Sequence, residues 1–498
     1  MTIASPKLDT SHLTANDAAL RRCQTALELK DQGDYRGAQE VMRLLWGRVG
    51  ERPEIQGLHP SVAAEVLLCV GILTRWIGSR NQLKESQDMA RDLISEGITF
   101  YEFAGDVKQV AAARAELAYC YWREGALDEA RIMFNVALQK LSTEGNTRAN
   151  ALLGLAVVEW SASRFDEALR ILTENRFLFD KVTNHAIKGA YHSQLAMVLR
   201  KLAPSEKRHD HLKLVLREYE KADHYFKLAH NRVFRADVKN NISNVFRELS
   251  RFKEAHQYLE QARRLRVIVK DKIGIAQIDD TRAQVLIAQR KLKEAEAVAR
   301  GSVRVLDKSG HQCLLAESLI TQGIALARLG KTDQAQFTFQ RAMEVSVQVG
   351  ALNKAGLAAL TLIEEIEGLS PEVADQVYDR AAVWLAQSQS LELVQRVVAA
   401  SKKIRVNIRG ELNAADATKA VLNTACDLQK EMSRHEGMMI KQALTKANGS
   451  LTRAASLLSM SYQALAYIIE ARHKDLLKER SPVHRRAPRK GTRSQRES

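Results

Sequence analysis

A helical hairpin pattern recurs along most of this chain at nearly constant spacing. In residues 115–138, AELAYCYWREGALDEARIMFNVAL, apolar and small side chains recur at helical spacing, and Gly125 marks a turn between two helices. Because each hairpin can bury its apolar face only against its neighbours, the repetition predicts a solenoid. Further copies lie at 154–172, 219–229, 241–262, 283–299 and 322–342. The alanines that open the second helices are Ala130, Ala168, Ala222, Ala255, Ala295, Ala335 and Ala374.

Proline, the residue that best interrupts helices, is scarce in this sequence. It occurs seven times, and residues 61–203 and 205–370 contain none. The chain has 498 residues, of which 45% are hydrophobic, so it can bury a large core in at least two structural units. These features predict an all-α globular protein and exclude collagen-like, low-complexity and fully disordered chains.

The hairpins resemble the tetratricopeptide repeat family, whose unit is about 34 residues long. The resemblance covers residues 17–400, with weaker copies at 26–45 and 61–103, and it implies a continuous right-handed superhelix. Most steps between the marker alanines exceed the family's unit, which indicates longer helices or turns, and the longest step, from Ala168 to Ala222, indicates an inserted loop around 202–213. Such solenoids bind many unrelated partners, so the resemblance predicts the fold better than the partner.

In this family the first helix of each hairpin faces the concave surface. By that resemblance, the segment 239–246, KNNISNVF, directs its three asparagines into the groove and keeps Ile242, Val245 and Phe246 in the apolar stripe. An amide both donates and accepts hydrogen bonds, so a strip of amides can hold an extended peptide. The alternative is a hydrated groove without a ligand. The predicted peptide-binding strip comprises Ser193, Gln194, Asn240, Asn241, Asn244, Asp280 and Gln284.

Positive charge is concentrated at the C-terminal end. The whole chain has a formal net charge of +16, and residues 436–498 carry 13 Lys and Arg against 5 Asp and Glu. Half of the net charge therefore lies within 436–498. The segment 471–496 is especially basic, and it predicts a disordered tail that contacts phosphates or a minor groove.

A second structural unit is predicted between the solenoid and this tail. Helical spacing indicates helices at 431–447, 451–458 and 462–477, separated by Asn448–Ser450 and by a tight turn at 459–461. Ser461 is a suitable N-cap for the third helix. The preceding segment 401–412, SKKIRVNIRGEL, is interpreted as an extended or loop-like boundary.

Residues 440–469 resemble the helix-turn-helix of the Fis type, found in bacterial regulators. The resemblance rests on the Asn-Gly-Ser turn at 448–450 and on Ala454, Ala455, Leu458, Met460 and Leu465, although Ser459 stands where that family usually has glycine. It implies that the third helix enters a major groove, where Gln463 can bond an adenine edge and Ala464 can meet a thymine methyl. The predicted DNA-binding residues are Arg453, Ser461, Tyr462, Gln463, Ala464, Tyr467, Arg472, Lys474, Arg485, Arg486, Arg489 and Lys490.

Other candidate sites have simpler structural interpretations. Gly330, Lys331 and Thr332 lack the earlier glycine of a phosphate-binding loop and are predicted to form an intra-repeat turn. His209 and His211 are predicted on a solvated loop, and the five widely spaced cysteines are predicted to be buried free thiols. No enzymatic activity, cofactor or metal is expected.

The sequence thus predicts five segments: a disordered N-terminus at 1–16, the solenoid at 17–400, a linker with a lead-in helix at 401–430, the helix-turn-helix at 431–480 and the tail at 481–498. The start has no signal peptide and the apolar run at 61–73 is too short to span a bilayer, so a cytoplasmic protein without membrane contact is expected. The combination predicts a bacterial regulator that binds double-stranded DNA and, through the groove, a protein or peptide. Fis-type modules usually act as dimers, so the resemblance is compatible with a homodimer. The alternative is a non-enzymatic scaffold whose C-terminal helices self-associate and whose tail binds anionic partners nonspecifically.

Overall fold

The computed structural model describes residues 10–81, 83, 85–203, 208–386, 391–410 and 428–479. The chain divides into two compact units, residues 1–401 and 402–498. Most of the described residues are helical and none of them is in a strand, which confirms the all-α prediction. The sequence predicts disorder for residues 1–16 and 481–498, and of these, residues 1–9 and 481–498 lie outside the described residues. The first helix begins at Ala15, so the predicted N-terminal segment ends too late.

The larger unit is a series of helical hairpins, in which the two helices of a pair share the largest contacts. The series begins with α1 (Ala15–Asp31), α2 (Tyr35–Met42), α3 (Pro60–Asn81), α4 (Ser86–Phe103), α5 (Val107–Glu124), α6 (Leu127–Lys140) and α7 (Asn146–Ser161). It continues with α8 (Phe165–Glu174), α9 (Arg176–Lys181), α10 (His185–Leu202), α11 (Arg208–Leu228), α12 (Arg232–Glu248), α13 (Phe252–Ile268) and α14 (Lys272–Ala288). It ends with α15 (Leu292–Asp307), α16 (Gln312–Arg328), α17 (Thr332–Gln348), α18 (Leu352–Glu365), α19 (Pro371–Leu385) and α20 (Leu391–Gly410).

The helix lengths explain why the repeat is longer than the unit of the tetratricopeptide family. Each of the six helices from α12 to α17 has 16 or 17 residues and is followed by a short turn. Longer helices are therefore the reason, one of the two options that the sequence left open. Gly330 and Lys331 lie in such a turn, as predicted, whereas Thr332 is the first residue of α17. A residue with left-handed backbone recurs at a constant interval, at His230, Ser250, Lys270, Arg290, Gly310, Gly330 and Gly350.

Small residues let the helices of neighbouring hairpins approach closely. The seven alanines that mark the repeat are all buried, none of them more than 5% exposed. A Cβ added at Gly154 would collide with the ring of Phe134, and one at Gly323 would lie 2.6 Å from the ring of Phe339. Each aromatic ring of a second helix thus fills the space that a glycine leaves on a first helix.

Three local predictions were wrong. The long step from Ala168 to Ala222 contains the short helix α9 and the long helix α11 rather than an inserted loop, so His209 and His211 lie in the first turn of α11; residues 204–207 are outside the described residues. Residues 401–410 belong to α20 instead of an extended boundary, because no proline interrupts the helical spacing and Ile404 is buried. Cys313 is exposed, whereas Cys23, Cys69 and Cys120 are buried free thiols as predicted. Cys426 lies outside the described residues.

The α3 helix is the one described helix that is long and apolar enough to cross a membrane by length and composition. It continues beyond the apolar run at 61–73 to Asn81. Within its apolar window 78% of the helix is buried in the unit, so its hydrophobic surface packs against neighbouring helices. Among the described residues no three His, Cys, Asp or Glu side chains are grouped as metal ligands.

The N-terminal helices contact the starts of four successive first helices that lie much later in the chain. Asp31 accepts a hydrogen bond from Asn184 Nδ2 on its carboxylate (2.7 Å) and from Asn231 Nδ2 on its carbonyl (2.8 Å). Arg80 donates from Nη2 to Asp271 Oδ2 (2.6 Å), and its carbonyl lies 2.8 Å from Nε2 of His311. The four later residues are the N-caps of α10, α12, α14 and α16. We call this set of contacts the N-terminal closure.

Glu218 provides a pH-dependent link between α10 and α11. Its carboxylate is buried and lies 2.6 Å from Nδ1 of His192 and 2.6 Å from Nζ of Lys221. Although burial acts in the opposite direction, these hydrogen bonds lower the pKa of Glu218 to about 2.

Acid is therefore expected to destabilise the solenoid in part through Glu218. A depressed pKa in the folded state stabilises the protein above the unfolded pKa of about 4.3, and this contribution is lost as the pH falls toward 2. We expect Glu218→Gln to lower the thermal midpoint at pH 7 and to flatten its dependence on pH between about 5 and 2, measured by circular dichroism. Equal pH slopes in the variant and the wild type would contradict this role. Glu294→Gln, at an exposed carboxylate of α15, is the control.

The smaller unit contains the end of α20 and, in the rest of its described part, three α-helices and a short 3-10 helix. They are α21 (Leu428–Lys446), α22 (Leu451–Leu457), α23 (Tyr462–Arg472) and the 3-10 helix Lys474–Glu479. The third helix is shorter than predicted, because the backbone leaves the helical region at His473. Residues 411–427, within the predicted linker, lie outside the described residues. The core consists of Ile440, Ala443, Leu444, Ala447, Leu451, Ala454, Ala455, Leu465, Ile469 and Leu476.

Candidate DNA-binding surface and solenoid groove

The turn between α22 and α23 has the geometry predicted from the sequence. Ser459 adopts a left-handed backbone with φ of 53°, which explains the glycine preference at this place and costs about 1 kcal/mol for a residue with a side chain. The backbone N–H of Met460 donates to the carbonyl of Ala455 (3.0 Å), and the Met460 side chain packs against the core. Ser461 caps α23, since its Oγ accepts a hydrogen bond from the N–H of Ala464 (3.1 Å). The predicted N-cap is confirmed.

The α23 helix buries one face and presents the other to solvent. Leu465 and Ile469 are completely buried and attach the helix to α21 and α22. The opposite face is exposed to solvent, and the turn fixes the angle at which the helix presents it. All five residues predicted there to read DNA are exposed: Ser461, Tyr462, Gln463, Ala464 and Tyr467.

The basic residues lie around this face rather than on it. Within α23 itself the only charged side chains are Glu470 and Arg472. Arg453, Arg472 and Lys474 are exposed, although Nη1 of Arg472 lies 3.4 Å from Glu436 Oε1. Attraction to phosphates must therefore come from the flanks of the helix. The tail residues Arg485, Arg486, Arg489 and Lys490 lie outside the described residues.

A buried histidine joins the end of α23 to α21. His473 is 7% exposed, and its Nε2 lies 2.8 Å from Glu436 Oε2. Gly437 makes room for the ring, because a Cβ there would lie 3.0 Å from His473 Nδ1. No sequence pattern predicted the pair of His473 and Glu436. Their contact limits the orientations that α23 can take relative to α21.

The predicted peptide-binding strip lies on α10, α12 and α14, three successive first helices. Six of its seven residues are half-buried, and Asp280 is buried with 6% exposure. The apolar residues of α12 are buried between them, as predicted for Ile242, Val245 and Phe246. Packing of α12 against α14 brings their parts of the strip together. Arg247 joins the strip by donating from Nη2 to Asn244 Oδ1 (3.2 Å).

Several oxygen atoms of the strip are enclosed without a hydrogen-bond partner among the described residues. They are Gln194 Oε1, Asn240 Oδ1 and Asp280 Oδ1. The second oxygen of Asp280 accepts a hydrogen bond from Gln284 Nε2 (2.9 Å), and burial raises the pKa of Asp280 to about 6. A ligand can contact the exposed atoms of the strip directly, but it reaches the enclosed oxygens only if these side chains move.

The comparison with protein families bears on the smaller unit. Residues 432–470 match the model of the bacterial regulatory proteins of the Fis family. They form a Fis-type helix-turn-helix. The match includes α22 and all but the last two residues of α23, so it contains every predicted DNA-reading residue of the third helix. No curated protein matches the chain.

Solved structures bear on the larger unit. The Rap protein complexed with competence and sporulation factor is similar over 74% of this chain and 99% of its own, with 13% identity and a TM-score of 0.50. A tetratricopeptide-repeat STAND protein from Pyrococcus horikoshii has 9% identity over 72% of this chain and 53% of its own, with a TM-score of 0.47. Yeast Tom70 has 12% identity over 82% of this chain and 85% of its own, with a TM-score of 0.43. The first similarity, together with the hairpin geometry, shows that the larger unit is a tetratricopeptide-type solenoid.

Sequence reasoning missed a second polar region on the first helices of the solenoid. Two guanidinium groups, Arg75 and Arg123, lie over the ring of Trp76, and Arg123 also lies over Trp122. A signal existed, because Arg75–Trp76 and Trp122–Arg123 are adjacent pairs in successive first helices. Neither pair interrupts the hydrophobic pattern, so the repeat analysis treated both as ordinary helix residues.

Proposed function

We propose that this protein is a bacterial transcriptional regulator, in which the Fis-type helix-turn-helix binds double-stranded DNA and the solenoid groove binds a peptide or protein segment. One observation carries the DNA-binding part: the N-cap and first turn of α23 expose Ser461, Tyr462, Gln463 and Ala464 side by side, and the helix is anchored to a three-helix core. Gln463 is the residue of this face with an amide that can bond an adenine edge at two atoms. The proposal assigns no catalytic role to the chain and places it in the cytoplasm with its DNA.

The groove supports the second part of the proposal. Half-buried amides on neighbouring first helices offer both donors and acceptors to a peptide backbone. The Rap structure of similar fold is a complex with competence and sporulation factor. Because the groove and the helix-turn-helix stand in one chain, we propose that occupancy of the groove changes the DNA affinity of this protein.

A scaffold remains the second candidate, and one observation favours it. The exposed face of α23 is rich in apolar and aromatic atoms, with Tyr467 68% exposed, and it carries little charge. Such a face also suits association between protein chains.

Selection from a randomised DNA pool by the full-length protein separates the two candidates. A regulator enriches a sequence motif, and its affinity for that motif exceeds its affinity for a scrambled duplex by about 10³-fold or more. Equal affinity for both duplexes at every salt concentration would reject the regulator and support the scaffold. Sedimentation of the same preparation then shows whether the chain self-associates.

The peptide part of the proposal makes a separate prediction at Asn241 and Asn244. Replacing both with alanine is expected to lower the affinity for a captured peptide by about tenfold or more, because two amide groups are lost from the groove. The thermal midpoint should change little, since both side chains are only half-buried. Gln442→Ala, an exposed glutamine of α21, is the control. Unchanged affinity in the double variant would remove this part of the strip from the site.

A further inference from the structure

Two arginines in the last turn of first helices are paired with a glutamate of the next first helix. Nε of Arg200 at the end of α10 lies 2.7 Å from Glu248 at the end of α12. Arg328 at the end of α16 lies 2.7 Å from Glu365 at the end of α18. Arg123 holds the same place in α5, but the glutamate in the last turn of the next first helix, Glu159 of α7, is buried and paired with Arg131. Arg123 makes no hydrogen bond or ion pair with any residue that the structure describes.

Two indole rings hold the Arg123 guanidinium in place. Its central carbon lies 4.7 Å from the ring centroid of Trp122 and 5.6 Å from that of Trp76. Trp122 is fixed by a hydrogen bond from Nε1 to Ser161 Oγ (2.9 Å), and Trp76 stacks on Tyr35 with ring centroids 6.1 Å apart. Stacking on aromatic faces leaves the edge of a guanidinium, where its N–H donors lie, available to a ligand.

The surroundings of Arg123 are electrostatically positive. Arg75 lies over the same Trp76 ring at 5.5 Å, and although Glu116 pairs with it at 2.6 Å, its Nε has no hydrogen-bond partner among the described residues. The Arg123 guanidinium stays protonated at neutral pH. Its side chain is exposed to solvent, so a ligand can reach it. An accessible cation without a counter-charge, held rigidly on the helices that line a groove, is a site for an anion.

We propose that Arg123 binds the side-chain carboxylate of an aspartate or glutamate in the groove peptide, so that the ligand of this protein is an acidic peptide. The inference rests on the proposed peptide-binding function and specifies its ligand. The planar fork of a guanidinium matches the two oxygens of a carboxylate. Because Glu159 of α7 is paired with Arg131, the ligand supplies the carboxylate that Arg123 lacks.

The test uses the full chain and four fluorescein-labelled decapeptide mixtures with amidated C-termini. Each mixture is randomised over uncharged residues, with its fifth position fixed as Asp, Asn, Lys or phosphoserine. Fluorescence anisotropy is expected to show that the Asp mixture binds the wild type about tenfold tighter than the Asn mixture. Arg123→Gln should abolish this preference while leaving the affinity for the Asn mixture unchanged. Arg328→Gln, the matched arginine whose charge Glu365 already neutralises, should retain the preference.

The other outcomes each have a definite meaning. An equal preference for Asp over Asn in the wild type and in Arg123→Gln overturns the proposal, as does tightest binding of the Lys mixture. If the phosphoserine mixture binds tightest and Arg123→Gln loses this binding, the ligand group is a phosphate. This outcome also overturns the proposal. If none of the mixtures binds the wild type, the proposed peptide function itself fails. Circular dichroism and DNA binding of Arg123→Gln establish that the variant is folded.

Discussion

Gln463→Ala in the full-length protein is expected to reduce the preference for the selected DNA sequence by about 5- to 150-fold. A bidentate contact between an amide and an adenine contributes about 1–3 kcal/mol of discrimination, which corresponds to a roughly 5- to 150-fold loss of affinity at the preferred site. Binding to a scrambled duplex should change little, because Gln463 contributes no charge. The measurement is a titration of both duplexes at one fixed salt concentration.

Two controls make this result specific. Gln442→Ala makes the same chemical change on the exposed surface of α21 and should leave both affinities unchanged. Deletion of residues 481–498 should have the opposite signature: each lost phosphate contact flattens the slope of log affinity against log salt by about 0.9 for every sequence, while the preference persists. If the deletion abolishes the preference and Gln463→Ala does not, α23 is not the reading helix and the scaffold gains support.

Loss of the N-terminal closure is expected to release α1–α3 from the rest of the solenoid. Arg80→Ala removes the ion pair with Asp271, a carboxylate only 9% exposed, and hydrogen bonds to charged groups at such sites contribute on the order of 1–3 kcal/mol. The closure joins helices distant in sequence through few side chains, so its loss acts locally. Hydrogen exchange of α1–α3 should accelerate by about tenfold or more, with little change in α14–α17.

The matched control is Arg114→Ala on α5. It breaks an ion pair with Glu102 of α4 that lies outside the closure. Its hydrogen exchange in α1–α3 should equal that of the wild type. The Trp76 ring lies 6.2 Å from the Phe234 ring on α12, so a change in the tryptophan fluorescence of the chain, to which Trp76 contributes, is expected when α3 moves away from α12. Equal exchange rates in Arg80→Ala and Arg114→Ala would show that the Arg80–Asp271 ion pair contributes nothing to the position of these helices.

The sequence determined by itself what depends on local periodicity. The repeating alanines identified the second helices because a helix pair can approach closely only where side chains are small. The cap at Ser461 and the turn at Ser459 were equally predictable, since caps and turns are decided within a few residues. For the same reason the exposed face of α23 followed directly from its helical spacing.

Only the tertiary structure decided which distant residues meet. Nothing local links Asp31 to Asn184 and Asn231, because the path of the superhelix, set by small rotations accumulated over many hairpins, brings them together. The unpaired state of Arg123 has the same origin. The local sequence around Arg123 is that of an ordinary last turn of a helix. Whether Arg123 has a partner depends on the side chains at the end of α7, which only the tertiary structure brings near it.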